Sequence, residues 1–264
     1  MLKIEDLEKI DSNHMFKAYD RWPEISQTSF EKEYEKFDIS EIDHIVFAGM
    51  GGSGSIGDSI SGILSKSDIH VTNVKGYLLP KTVDERTLVV VTSVSGNTDE
   101  SLTILKSVIK TPAKIASFSS GGKFETFCSE NDIFFQSIPM THSPRASYPS
   151  FLFSILNVLE PILPISQRDI KESCMNLRKT RDNICSTNLI DDNESLKIAK
   201  FLKEIVCVYY PAGLQAAAIR YKNSLQENAK MHAMTEDVIE SSHNGIVPWE
   251  RSFDISPVLI QGKD

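Results

Sequence analysis

Residues 42–48, Ile-Asp-His-Ile-Val-Phe-Ala, form an apolar run that ends at Gly49, and a run of this length closed by glycines predicts a buried strand. The pattern then alternates. Helical periodicity over residues 53–64 is followed by strands over 69–74 and 87–92, a helix over 98–109, a strand over 114–117, a helix near Lys123 and a strand over 133–137. Residues from about 5 to 36, of mixed charge, read as helices ahead of this block. Strands that alternate with helices predict a parallel sheet with helices on its faces. A helix over 146–158 is closed by Glu160-Pro161-Ile162-Leu163-Pro164, because proline cannot donate and bars its predecessor from helical geometry. That closure sets the expected junction between a first domain, residues 1–160, and a second, residues 161–264. Beyond it come helical segments, a strand over 205–210, the turn Pro211-Ala212-Gly213, a helix through Asn223 and a strand over 257–261, a weak echo of the first half.

Composition narrows the class without deciding it. The chain has 264 residues, 41% hydrophobic and 24% charged, which is long enough to bury a core without disulfides or metals and ordinary for a globular protein. A formal net charge of −8 argues against nucleic acid or an anionic membrane as partner, so an anionic ligand has to be held by local geometry. Cys128, Cys174, Cys185 and Cys207 show no C-x-x-C spacing, the first residues are charged, and no run approaches the ~18–20 apolar residues of a span. A soluble protein of the reducing cytoplasm is expected.

Two loops carry candidate chemistry. Gly49-Met50-Gly51-Gly52-Ser53-Gly54 matches a dinucleotide-type G-x-G-x-x-G letter for letter, yet Thr72-Asn73-Val74-Lys75 stands where the ribose-binding acid is wanted. What survives is the physics of glycines that let backbone N–H groups approach an anion at a helix start. The second loop, Ser93-Val94-Ser95-Gly96-Asn97-Thr98, precedes a helix with Asp99 and Glu100 in its first turn. Asn97 with Glu100 reads as an N-cap and capping-box pair, worth about 1 kcal/mol. Capping does not explain three hydroxyls, and Ser93, Ser95 and Thr98 around a glycine suit a phosphate dianion.

Gly51-Gly52-Ser53 paired with Ser93-x-Ser95-Gly96-Asn97-Thr98 resembles the sugar isomerase (SIS) domain. Ser143-Pro144-Arg145-Ala146-Ser147-Tyr148-Pro149, Gln226-Glu227-Asn228-Ala229-Lys230 and His243-Asn244 narrow the resemblance to the archaeal-type bifunctional phosphoglucose/phosphomannose isomerases, over roughly residues 40–250. The resemblance implies an α/β fold of two flavodoxin-like SIS subdomains, each a parallel sheet in an αβα sandwich. It implies aldose–ketose isomerisation of a hexose 6-phosphate through a cis-enediolate. Phosphate would be held by Ser93, Ser95, Thr98, Gly51, Gly52 and Ser53, with Glu227 as base, His243 as ring-opening proton shuttle and Arg145 as stabiliser of developing charge. It further implies a homodimer in which His243 reaches the neighbouring subunit's site.

The six histidines, at 14, 44, 70, 142, 232 and 243, show no i, i+3 or i, i+4 pairing, so proton transfer without metal or cofactor is expected. The sequence departs from the family pattern twice. Gly245 follows His243-Asn244 where a larger residue is common, and the second subdomain reads as shortened, without the family's late lysine, for which Lys263 is no substitute. A non-catalytic sugar-phosphate-binding regulatory protein is the alternative from another class, and a nucleotide-dependent oxidoreductase rests on the glycine loop alone.

Overall fold

A computed structural model describes residues 2–262; Lys263 lies outside them. Their contacts form two compact units, one ending at Leu189 and one beginning at Ile190. The first opens with α1 (Ile4–Ile10), α2 (Met15–Asp20) and α3 (Trp22–Glu31), then alternates β1 (His44–Ala48), α4 (Gly51–Leu64), β2 (His70–Val74), β3 (Thr87–Ser93), α5 (Asp99–Val108), β4 (Lys114–Ser119), α6 (Lys123–Glu130) and β5 (Phe134–Ser137). Two further helices, α7 (Tyr148–Val158) and α8 (Gln167–Ile184), complete it.

The five strands are parallel in the order β2-β1-β3-β4-β5. This is the flavodoxin-like order that the resemblance implies. β1 and β3 are buried along their whole length, which explains their lack of polar alternation. Alternate residues nevertheless serve different cores. Ile45, Phe47, Leu88 and Val90 pack with Ile56 and Ile60 of α4 and Phe151 and Ile155 of α7. Val46, Ala48, Val89 and Val91 pack with Leu102 and Leu105 of α5 and Phe124 of α6 on the opposite face. Each of the buried Val, Leu, Ile and Phe side chains is worth roughly 1.5–3 kcal/mol, so the sheet is the rigid frame on which the loops stand.

The unit boundary differs from the junction expected at 160/161. The proline turn does end α7, but the chain stays within the first unit. Ile170 and Cys174 of α8 enter the core shared by α4 and α7. Arg181 reaches Glu24 of α3 at 3.2 Å, and the Ser186 backbone N–H donates to Asp20 at 3.1 Å. Burial of α8 against the N-terminal helices thus carries the division to 189/190.

The second unit contains α9 (Glu194–Phe201), β6 (Ile205–Tyr210), α10 (Gln215–Ser224) running into a π-helical turn Leu225–Ala229, β7 (His232–Asp237), α11 (Val238–Ser241), a 3-10 turn Val247–Glu250 and β8 (Ile255–Leu259). Its parallel sheet has the order β7-β6-β8, with Val206, Val208, Ala218, Leu225 and Ala233 as its core. β7, His-Ala-Met-Thr-Glu-Asp, has no apolar run and is absent from the strand pattern of the sequence.

At the amino edge of the larger sheet His44 is buried, with its ring centroid 5.0 Å from that of His70. Burial, reinforced by the neighbouring imidazole, holds the His44 pKa below its usual value. Below about pH 6.5 the unfolded chain therefore binds a proton that the folded chain resists, so this group makes stability fall as pH falls. Denaturant titrations of His44→Gln between pH 7 and pH 5 are expected to show a shallower loss of unfolding free energy than the parent; an unchanged slope contradicts the assignment.

Candidate functional site

The strand order reverses direction between β1 and β3, so the helices that follow these strands leave on opposite faces and open a crevice at the carboxyl ends. Both candidate loops lie there. The glycine loop opens α4, whose N-cap residue Met50 makes no side-chain cap, and the serine loop opens α5, whose N-cap is Thr98, likewise without one. The expected Asn97–Glu100 capping box is not formed. Asn97 instead donates from Nδ2 to the Ser95 carbonyl at 3.0 Å and accepts from the Lys123 N–H at 3.3 Å. The Glu100 carboxylate instead faces Tyr77 and pushes the phenol pKa up. Both helix starts therefore keep N–H groups without side-chain caps, the donors that suit an anion.

The two loops touch. The Val94 N–H donates to Ser53 Oγ at 3.3 Å, which leaves the Ser53 proton available. Ser95 Oγ likewise accepts from the Asn97 N–H, at 3.4 Å. Ser93 is buried and shares a 2.9 Å hydrogen bond with Thr98, so one hydroxyl proton of that pair is also left over. Hydroxyl donors thus cluster with the helix N-termini without needing a basic surface.

A third loop, missed by sequence reasoning, braces the serine loop from β4. The Ser120 N–H and hydroxyl both donate to the Val94 carbonyl, at 3.1 and 2.6 Å, and the Phe124 N–H donates to the Gly96 carbonyl at 3.1 Å. Ser119 Oγ donates to the Gly121 carbonyl at 2.9 Å, fixing the turn. Its signal was present, since Ser119-Ser120-Gly121-Gly122-Lys123 repeats the strand-glycine-helix pattern. Gly96 has a positive φ of 67°, and a Cβ there would fall 1.7 Å from the Gly121 carbonyl oxygen.

Arg145 belongs to the same unit and the same edge. A Cβ on Gly52 would stand 3.9 Å from the Pro144 carbonyl oxygen, which sets the segment before α7 against the start of α4. Arg145 Nε donates to Met15 Sδ at 3.2 Å, and Trp22 Nε1 donates to the Ala146 carbonyl at 2.9 Å, so the N-terminal helices hold this segment. Lys75, past the end of β2, is paired with Asp58 at 2.6 Å. The position that a dinucleotide site would give to an acid is therefore occupied by a cation.

Glu227 and His243 lie in the second unit. Glu227 is half-buried in the π-helical turn that leads into β7, where Gln226 Nε2 donates to the Ala233 carbonyl at 3.2 Å. His243 is exposed beyond the other end of β7, in the turn after α11. One six-residue strand separates them, on the order of 17–20 Å. Within a single chain the structure does not bring these two residues together. Among the described residues no group of three His, Cys, Asp or Glu side chains is arranged to hold a metal ion.

Comparison with known proteins follows the same line. Residues 191–264 match the bacterial phospho-glucose isomerase C-terminal SIS domain. The chain is 30% identical over 249 residues to the bifunctional phosphoglucose/phosphomannose isomerase of Caldicellulosiruptor bescii, covering 89% of this chain and 72% of that protein. It is 31% identical over 226 residues to the protein of that name from Thermoplasma acidophilum, covering 84% and 68%. The C-terminal domain of glucosamine-fructose-6-phosphate aminotransferase from Francisella tularensis shares the fold, with a TM-score of 0.70 at 18% identity over 95% of this chain and 76% of that one.

The loop geometry predicts a graded response to alanine. Gly51→Ala, at a φ of 53° with nothing within 4 Å, is expected to cost ~1–2 kcal/mol for its left-handed backbone alone. Gly96→Ala adds a collision with Gly121 and is expected to cost at least ~2 kcal/mol more. Chemical denaturation of the two variants measures the difference, and equal costs refute the packing described.

Proposed function

The chain belongs to the bifunctional phosphoglucose/phosphomannose isomerase family, and from that membership we propose that it interconverts hexose 6-phosphates, glucose 6-phosphate and mannose 6-phosphate with fructose 6-phosphate. The observation that carries this reading is the contact between the glycine and serine loops at the β1/β3 crevice, where hydroxyl donors meet two helix N-termini without side-chain caps. A phosphate dianion suits that arrangement because its charge is met by N–H and O–H dipoles, which a chain of net charge −8 needs in place of a basic surface. Ser53, Ser95 and Thr98 supply hydroxyls, Ser93 orients Thr98, and Gly51 and Gly52 let the α4 backbone approach.

In this proposal Glu227 takes the proton from C2 of the open-chain aldose, leaving the cis-enediolate, and delivers a proton to C1 to give the ketose. His243 moves the proton of the ring oxygen, since an imidazole nitrogen can both accept and donate a proton. Arg145 stabilises the enediolate oxygen through its guanidinium donors. The reaction runs by proton transfer without a metal or cofactor. The molecule works as a cytoplasmic homodimer in which each His243 serves the neighbouring subunit's site. Two observations support that exchange: Glu227 and His243 stand at opposite ends of β7, and Ile239, Ile246 and Val247 around His243 are exposed.

Conversion of glucose 6-phosphate in heavy water with EDTA present is expected to place deuterium at C2 of the recovered aldose. Stabilisation by hexose phosphate without turnover would instead make the chain a sugar-phosphate-binding module. Glu227→Gln is expected to lower kcat at least ~100-fold while substrate binding is retained.

Subunit exchange tests the dimer. Glu227→Gln and His243→Gln, each inactive alone, are expected on mixing to recover about a quarter of parental turnover, because half the dimers are hybrids and each hybrid carries one intact site. No recovery after verified exchange rules out donation of His243 across the interface.

A further inference from the structure

We propose that Tyr209 and Trp249 form a clamp that fixes the position of His243, an inference that rests on the role given to His243 above. His243 is exposed, on the loop that leaves the edge strand β7, and its backbone placement is decided by what fastens that loop to the sheet. The loop is fastened at its start by Asp237, whose Oδ1 accepts from the N–H groups of Ile239 and Glu240 at 2.8 and 3.2 Å. It is fastened at its end by Trp249, whose Nε1 donates to the Tyr209 hydroxyl at 2.9 Å, with the two rings 6.5 Å apart.

Tyr209 is a strong anchor because it belongs to the central strand β6, paired with Glu236 on one side and Leu259 on the other. Burial pushes its phenol pKa up to about 12, so the hydroxyl stays neutral over the working range. Between the two fastenings the loop is cross-braced. The His243 N–H donates to the Glu240 carbonyl at 3.0 Å, Ile246 to Ser241 at 2.8 Å and Val247 to Asn244 at 3.2 Å. Midway, Gly245 lies against Glu236, where a Cβ would come within 2.6 Å of Oε1. Displacement at Trp249 is transmitted to His243 as a shift of one braced piece.

A group that moves a proton has to be held within about half an ångström, and a misplacement near 1 Å costs on the order of 100-fold. Tyr209 and Trp249 are therefore positioning residues, which act through His243. The test uses the full chain with Tyr209→Phe, Trp249→Phe and both together. Three quantities are read: kcat and KM on glucose 6-phosphate, melting temperature, and amide hydrogen exchange over residues 238–250. Each single variant is expected to lose about tenfold or more in kcat with KM within about twofold, the double variant to be no worse than the singles, and the loop amides to exchange faster while β6 stays protected. Parental kcat in Tyr209→Phe overturns the positioning role, as does an equal loss in kcat and melting behaviour with β6 exposed. Loop exchange at the parental rate overturns the clamp itself. A parent chain without turnover sinks the proposed function, and loop exchange then still decides whether the clamp exists.

Discussion

The pairing of β1 with β3 is the constraint on which the larger unit depends. His44–Ala48 and Thr87–Val91 lie side by side in a parallel ladder although 43 positions separate them, and β2, which comes between them in sequence, is displaced to the sheet's edge. Because the chain winds outward in both directions from this pair, α4 and α5 start from adjacent strand ends yet pack on opposite faces. Their N-termini face one crevice. No salt bridge creates that anion-seeking geometry; it follows from apolar burial of the two strands on both faces.

Loop chemistry then depends on bracing. A serine-rich turn offers hydroxyls only if its backbone is held, and here the holding is done by a neighbouring turn whose carbonyl occupies the space that a side chain at Gly96 would need. The hydrogen bonds from Ser120 and Phe124 satisfy the carbonyls of Val94 and Gly96. They hold the turn while the hydroxyl protons of Ser95 and of the Ser93–Thr98 pair stay uncommitted. The same logic recurs in the smaller unit, where the loop carrying His243 is bonded back to the central strand.

Glu227 and His243 are placed differently from the glycine and serine loops. The loops are assembled within one unit, by contacts that can be followed atom by atom. Glu227 and His243 are held apart by the length of β7, which is why the proposed chemistry calls on a second copy of the chain.

The sequence by itself determined the larger sheet, because strands buried on both faces must be written as apolar runs and their ends must be written in glycine and serine. It also determined the glycine and serine loops of that unit, since backbone approach to an anion requires glycine and donation requires hydroxyls. Tertiary structure alone decided the rest. Asn97 was legible as a cap, yet its amide is taken by the Ser95 carbonyl within its own loop and by the Lys123 N–H from the loop after β4. The proline turn after α7 was legible as a helix end, but burial of Ile170 and Cys174 kept α8 within the first unit. β7 was not legible at all, because an edge strand with one packed face and Met234 exposed on the other carries no apolar run. Local patterns report what each segment can bury. Which segments share a surface is settled by packing between residues far apart in the chain, and no local pattern records it.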